Sequence, residues 1–303
     1  MRVALIFNPA ARGANRSNIL ARLSSGLEAA GHNVMTYPTV IAGHGTSLAH
    51  QAIGQEAEVI VAIGGDGTIN DIIQGMVGSN VPLAVYPAGT TNVWCKQIGM
   101  PSELGQAIRV ITHGVRRKID LGKIDNRYFL LMAGIGLDGE VTSAVNPSLK
   151  RHFGKWAYGL PALRLALSFP VGKIKLELDD QKMEVESSLI IVSNTRRYAI
   201  FELAPAACLD DGLLEVLILE DKSVRIRLQS AVSFAINRSE HDLNIKRYKV
   251  RQLSVQSQNE LGIQVDGDAA GRTSTTPVQI ECVPLALEVI IPENHSSNLF
   301  RHI

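Results

Sequence analysis

Cysteines are few and scattered in this sequence. Cys95, Cys208 and Cys282 are odd in number, far apart and without C-x-x-C spacing, so neither a disulfide framework nor a zinc site is expected, and a reducing, cytoplasmic setting fits. Aromatic residues make up only 5% of the 303 and the formal net charge is +1, which leaves neither base-stacking platforms nor a basic surface for nucleic acid. Long apolar runs are missing too. The opening Met1 to Phe7 stops at Asn8-Pro9, too brief for a leader peptide or a span, and no later run reaches spanning length without a charge or a proline. Gly-Lys-Ser/Thr is absent: Gly122-Lys123, Gly154-Lys155 and Gly172-Lys173 precede Ile, Trp and Ile, which argues against a P-loop. What remains is 46% hydrophobic and 19% charged, an ordered chain long enough for two packed domains.

The sequence is organised around Val59 to Asp71. The β-branched run Val59-Ile60-Val61-Ala62-Ile63 predicts a buried parallel strand, and Gly64-Gly65-Asp66-Gly67-Thr68 ends it. Glycines at 64, 65 and 67 let main-chain N–H groups approach a phosphate, and the helix expected through Asn70, Ile72 and Ile73 favours an anion at its start. A carboxylate in such a cradle repels phosphate unless a metal or a proton lies between them. Asp66 therefore points to magnesium or to base chemistry, against the plainer reading of an Asp that caps a helix or stabilises the turn. Gly134-Ile135-Gly136-Leu137-Asp138-Gly139 matches G-x-G-x-x-G but has no acid about 20 residues on, so it reads as a turn or a close backbone approach.

Strands are expected at Val3–Phe7, Asn33–Tyr37, Val59–Ile63 and Leu83–Tyr86. Between them lie helical repeats through Ile19, Leu20, Leu23 and Leu27 and through Leu48, Ala52 and Ile53, a parallel α/β alternation. Ser102 is expected to cap a further helix through Ala107 and Ile111. From Ile119 the pattern becomes short strands, including Tyr128–Met132, Ile174–Leu178, Leu189–Val192, Leu213–Leu219 and Ile263–Val265, as in an antiparallel β-sandwich. The expected division is 1–118 for the α/β domain, 119–283 for the sandwich and 284–303 returning to the first. A helix from Trp156 to Phe169, with Lys150, Arg151 and Lys155 ahead of it, offers a transient contact with an anionic membrane surface, beside core packing of its leucines. Asp210-Asp211-Gly212 and Asp266-Gly267-Asp268 read as acidic clusters or hairpin turns.

Asn8-Pro9 with Gly13, Gly64 to Asp71, Pro87-Ala88-Gly89-Thr90-Thr91-Asn92, Gly134 to Asp138, Leu209 to Leu213 and Val265 to Asp268 together resemble, in order, the landmarks of the diacylglycerol kinase catalytic-domain superfamily in its bacterial soluble lipid-kinase branch. The resemblance implies a nucleotide-binding α/β domain of the NAD kinase and phosphofructokinase kind with a C-terminal β-sandwich. It also implies ATP- and Mg²⁺-dependent phosphoryl transfer to a lipid hydroxyl, with diacylglycerol the default acceptor, by an enzyme peripheral at the membrane. By position, Asn8, Pro9, Ala10, Ala11, Arg12, Thr39, Gly65, Asp66, Gly67, Thr68, Ile69, Asn70, Asp71 and Thr90 would hold ATP. Asp211 with the carbonyls of Cys208 and Leu213 would match the family's structural magnesium site, and Asp268 stands where the branch usually has a Glu as general base, with Asp66 the alternative. Val93 replaces an acid usual in the second loop. An NAD kinase, a sphingoid-base kinase and a nucleotide-binding lipid sensor remain the competing readings, and a homodimer is left open.

Overall fold

The computed structural model describes residues 1–9, 16–144, 167–198, 201–221, 223–235, 241–274, 276–295 and 297–301. Ala10, Ala11, Arg12 and Gly13 fall outside these residues. So do Lys150, Arg151, Lys155 and all but the last three positions of the helix expected from Trp156 to Phe169. The chain forms two units, one of Met1–Asp120 with Leu285–Ile303 and one of Leu121–Pro284.

In the first unit β1 (Arg2–Phe7), α1 (Arg16–Ala29), β2 (Asn33–Pro38), α2 (His44–Gly54), β3 (Val59–Gly64), α3 (Asp66–Ile73), β4 (Leu83–Pro87), α4 (Val93–Gln97) and α5 (Leu104–His113) alternate, and β5 (Val115–Ile124) leads out. The strands pair in parallel in the order β2-β1-β3-β4. Every position of β3 is buried, so the strand reads as an unbroken apolar run rather than an alternation. The register aligns Phe7 with Pro38 and with Ile63, and Gly64 with Pro87. Four successive strands therefore end level, and the loops that follow them share one edge of the sheet. That edge is where ligands sit in open parallel sheets.

Glu103, rather than the expected Ser102, caps α5. Its carboxylate accepts the Gly105 and Gln106 N–H groups at 2.8 and 2.7 Å, and these bonds hold its pKa below the usual carboxylate value. The longer anionic side chain reaches the helix start and complements its dipole, while the Ser102 carbonyl accepts the Tyr86 hydroxyl.

The second unit holds the rest of β5, then β6 (Arg127–Phe129), β7 (Met132–Gly136), α6 (Leu137–Ala144), β8 (Gly172–Leu178), β9 (Gln181–Ser187), β10 (Leu189–Ser193), β11 (Arg197–Tyr198) and β12 (Phe201–Glu202). These are followed by β13 (Leu214–Leu219), α7 (Val224–Ala235), β14 (Ile245–Val250), β15 (Gln252–Ser257), β16 (Gly262–Val265), β17 (Asp268–Arg272) and β18 (Val278–Ile291). One antiparallel sheet runs β14-β13-β10-β7-β16-β17. The other pairs β18 with β15, β15 with β8 and β8 with β9, and β5 with β6. Side chains from both, among them Phe129, Ile135, Leu176, Ile190, Val216, Leu253, Ile263 and Ile280, form one buried cluster between the layers. Among the described residues no helix is long and apolar enough to cross a membrane. The C-terminal part of β18 belongs to the first unit, where Val289 pairs in parallel with Leu83 of β4.

One local expectation needs correction, and two elements were not anticipated. The strand expected over Tyr128–Met132 is two strands in different sheets, because the Leu130, Leu131 and Met132 N–H groups are bound by the Asp266 carboxylate. Strand β14 was not expected, since Lys246, Arg247 and Lys249 dilute its β-branched residues as on many edge strands. Helix α7 was also missed. Its Arg227 is 2% exposed and its Nε–H donates to the buried Asp221, whose carboxylate also accepts the Ser188 N–H and hydroxyl. Arg227 further donates to the Phe169 carbonyl at 2.8 Å. The glycines of the G-x-G-x-x-G match serve packing: a Cβ on Gly139 would lie 2.1 Å from the Gly262 carbonyl oxygen, and one on Gly136 would lie 2.3 Å from that of Ser188.

Removing one member of a buried ion pair strands the other. Arg227→Met should lower stability by about 3–5 kcal/mol, read as a shifted urea midpoint.

Candidate active site

Two glycine loops meet at the level strand ends of the first unit. Gly65 precedes α3 and Gly89 lies in the loop after β4, and their backbones touch: a Cβ on Gly89 would fall 2.4 Å from the Gly65 Cα and 3.0 Å from its nitrogen. No other residue fits at Gly89 without parting the loops, and at Gly65 a Cβ would lie 3.2 Å from the Gly89 Cα, a tight contact. Asn92 closes the second loop, its Oδ1 accepting the Gly89 N–H at 2.8 Å and its Nδ2–H donating to the Gly89 carbonyl at 3.0 Å.

Asp66 fastens the two loops together. Its Oδ2 accepts the Val93 N–H and its Oδ1 the Trp94 N–H, each at 3.0 Å, so it caps a helix that begins 27 residues further along the chain. The capping reading of Asp66 thus describes its contacts, although the helix is α4 and not its own α3. Val93, where the family usually has an acid, supplies this main-chain N–H while its side chain is buried.

The remaining nucleotide candidates divide by burial. Gly65, Gly67 and Thr68 are half-buried at the start of α3, and Thr90 is exposed at the tip of the second loop. The Ile69 and Asn70 side chains are buried, each 1% exposed. Asp71 faces the loop before α2, where its Oδ2 accepts the Gly43 N–H at 2.8 Å and its carbonyl accepts the Thr46 hydroxyl. Thr39 is buried just after β2, with its N–H on the Phe7 carbonyl at 2.8 Å. Asn8 is half-buried and Pro9 exposed at the end of β1.

In the second unit the hairpin from β16 to β17 turns through Asp266 (φ +49°) and Gly267 (φ +86°), the left-handed pair that a tight two-residue turn demands. Three N–H bonds to the Asp266 carboxylate, each 2.9 Å, pin this turn to the crossing between sheets. Gln264, fully buried, steadies it from below, donating to the Asp138 carboxylate at 2.7 Å and accepting the Gly267 N–H at 2.7 Å. Asp268 follows the turn as a half-exposed carboxylate on a fixed backbone. Neither Gln264 nor Asp266 as a clamp was foreseen, though Asp-Gly in a hairpin is a legible signal.

Asp211 forms its own turn, its Oδ1 accepting the Leu213 N–H at 3.1 Å. Its Oδ2 lies 2.9 Å from the Lys249 ammonium. The one carboxylate of the magnesium set expected from Cys208, Asp211 and Leu213 thus already carries a cation, and a dication on the same oxygen would meet like charge at contact distance. That donor set does not fit a divalent ion. Among the described residues no three His, Cys, Asp or Glu side chains gather as a metal cluster.

Comparison with known proteins bears on this geometry. Residues 2–124 match the diacylglycerol kinase catalytic domain, and residues 132–291 match the YegS C-terminal NAD kinase beta sandwich-like domain. Diacylglycerol kinases from Staphylococcus saprophyticus and Staphylococcus epidermidis are 31% and 30% identical, over 89% and 92% of this chain and 90% of each relative. The chain belongs to the diacylglycerol kinase family. The diacylglycerol kinase of Bacillus subtilis is 29% identical over 98% of this chain and 99% of its own. The crystal structure of a diacylglycerol kinase from Bacillus anthracis superposes with a TM-score of 0.79 at 23% identity, covering 96% of this chain and 97% of that one, and so shares its fold. Family membership makes the protein a kinase and confirms an α/β domain joined to an antiparallel β-sandwich-like domain.

Within this kinase the Cys95 thiol beside the loops is inert. Burial, and then the charge of Asp66, pushes its pKa up to about 12. Buried and held protonated by the raised pKa, Cys95 should stay unalkylated by iodoacetamide in native protein at pH 8 and react once the protein is unfolded, as read by mass spectrometry. Asp66→Ala leaves two N–H groups without their acceptor and should cost about 2–3 kcal/mol in chemical denaturation, with Asp66→Asn milder because its amide oxygen still accepts.

Proposed function

We propose that the protein transfers the γ-phosphoryl group of ATP to the hydroxyl of a membrane lipid, with diacylglycerol as first acceptor and phosphatidic acid as product. The observation that carries this reading is the pair of touching glycine loops fastened by Asp66, a backbone cradle in a chain of diacylglycerol kinase membership. ATP is taken up as its magnesium complex, the ion neutralising charge on the β- and γ-phosphates. In this reading Gly65, Gly67 and Thr68 present main-chain N–H groups to the phosphates, with the start of α3 adding its positive end. Asn8, Pro9, Ala10, Ala11, Arg12 and Thr39 line the nucleotide from neighbouring strand ends, and Thr90 reaches it from the second loop. Ile69, Asn70 and Asp71 shape the loop from behind.

Asp268 is the general base. It takes the proton of the lipid hydroxyl as that oxygen attacks the γ-phosphorus; the bond to the bridging oxygen breaks and ADP leaves. Asp66 serves as a positioning residue, since both its oxygens hold N–H groups. The acceptor lies in a bilayer, so the enzyme meets it at a membrane surface. The similarity of the second unit to an NAD kinase sandwich supports NAD as the rival acceptor.

Purified protein incubated with labelled ATP, Mg²⁺ and a panel of lipid alcohols in mixed micelles, with NAD in a parallel tube, tests the reading. Label should appear in lipid, diacylglycerol ahead of sphingoid bases. Transfer to NAD alone overturns it, and nucleotide binding without transfer makes the protein a sensor. Asp268→Asn should lower kcat about 10²- to 10⁴-fold with little change in KM for ATP, and Asp268→Glu should retain far more activity.

A further inference from the structure

The turn at Asp211 is expected, from the family resemblance, to be organised by a divalent ion, and its geometry points to a different cation. Asp211 is nearly buried, its side chain 6% exposed, and one oxygen is spent on the Leu213 N–H. The other oxygen receives the Lys249 ammonium at 2.9 Å. Lys249 is held in place by the sheet: in the register of β13 with β14 it stands opposite Glu215, and Arg247, two residues earlier on β14, shares that face. Glu215 is itself buried and pairs with Arg247 at 3.0 Å. Glu215 pairs with Arg247 and Asp211 with Lys249, and Asp210 and Arg196 lie beside them near Cys208, so the cluster's three carboxylates are matched by three cations without any ion from solution.

We infer that Lys249 is a built-in counter-cation for Asp211, doing by covalent attachment to β14 what a bound divalent ion would do at this turn. A cation carried on a strand joins the Asp210-Asp211-Gly212 turn to the sheet edge directly, and it cannot be chelated. Adding a dication would place a net double positive charge beside two buried carboxylates that already hold cations, so the site selects against the metal. Divalent ions are then needed for the nucleotide and not for the integrity of the second unit. This inference does not rest on the acceptor lipid or on turnover, and its test contains neither.

Thermal unfolding of the full chain without nucleotide is followed in EDTA and in MgCl₂. The midpoints should coincide. Lys249→Met should lower the midpoint in EDTA by several degrees, and the double variant Asp211→Asn with Lys249→Met should lie well above the sum of the two single losses, since the pair acts as one unit. The wild-type measurement needs no variant to fold. A midpoint that rises with MgCl₂, with the rise abolished by Asp211→Asn, would overturn the inference, and so would strictly additive losses in the double variant.

Discussion

A single carboxylate decides where the two glycine loops of the first unit stand. Asp66 leaves the first glycine loop and binds the N–H groups of Val93 and Trp94, so the loop after β3 cannot move without the loop after β4. The close contact between Gly65 and Gly89 goes with it, because a side chain at Gly89 would run into the Gly65 backbone and force the loops apart. Such preorganisation matters for phosphoryl transfer, where alignment and charge stabilisation do most of the work. Asp66 is better understood as part of the frame of the site than as a reagent in it.

The second unit solves the same problem with a different clamp. Asp266 spends its carboxylate on three consecutive N–H groups at the point where the chain leaves one sheet for the other, and Gln264 locks the turn from the core. The side chain that follows, Asp268, inherits a fixed backbone without being buried. In both units a buried or half-buried acid is consumed by backbone donors.

The alternation of strands and helices in the first unit was legible because β3 is apolar throughout and glycine-rich loops follow strand after strand. The sandwich was legible from short alternating runs. What failed to show were features that depend on partners remote in sequence. Glu103 outcompetes Ser102 only because its longer side chain reaches two N–H groups. The break between β6 and β7 needs Asp266, more than a hundred residues on, and the burial of Arg227 in α7 needs Asp221 and Ser188 beneath it. Nor does any local pattern announce that Lys249 will come to rest on Asp211, since spacing along the chain says nothing about which strand edge a charge meets.

Strand β18 carries a consequence for biogenesis. Its last residues complete the first sheet beside β4, yet the ribosome makes them after the strands of the intervening unit. The amino-terminal half must therefore wait with an unsealed sheet edge while the sandwich is synthesised, exposed to mispairing until the final strand docks. A nascent polypeptide stalled before Val289 would present loops already in place on a supporting sheet one strand short.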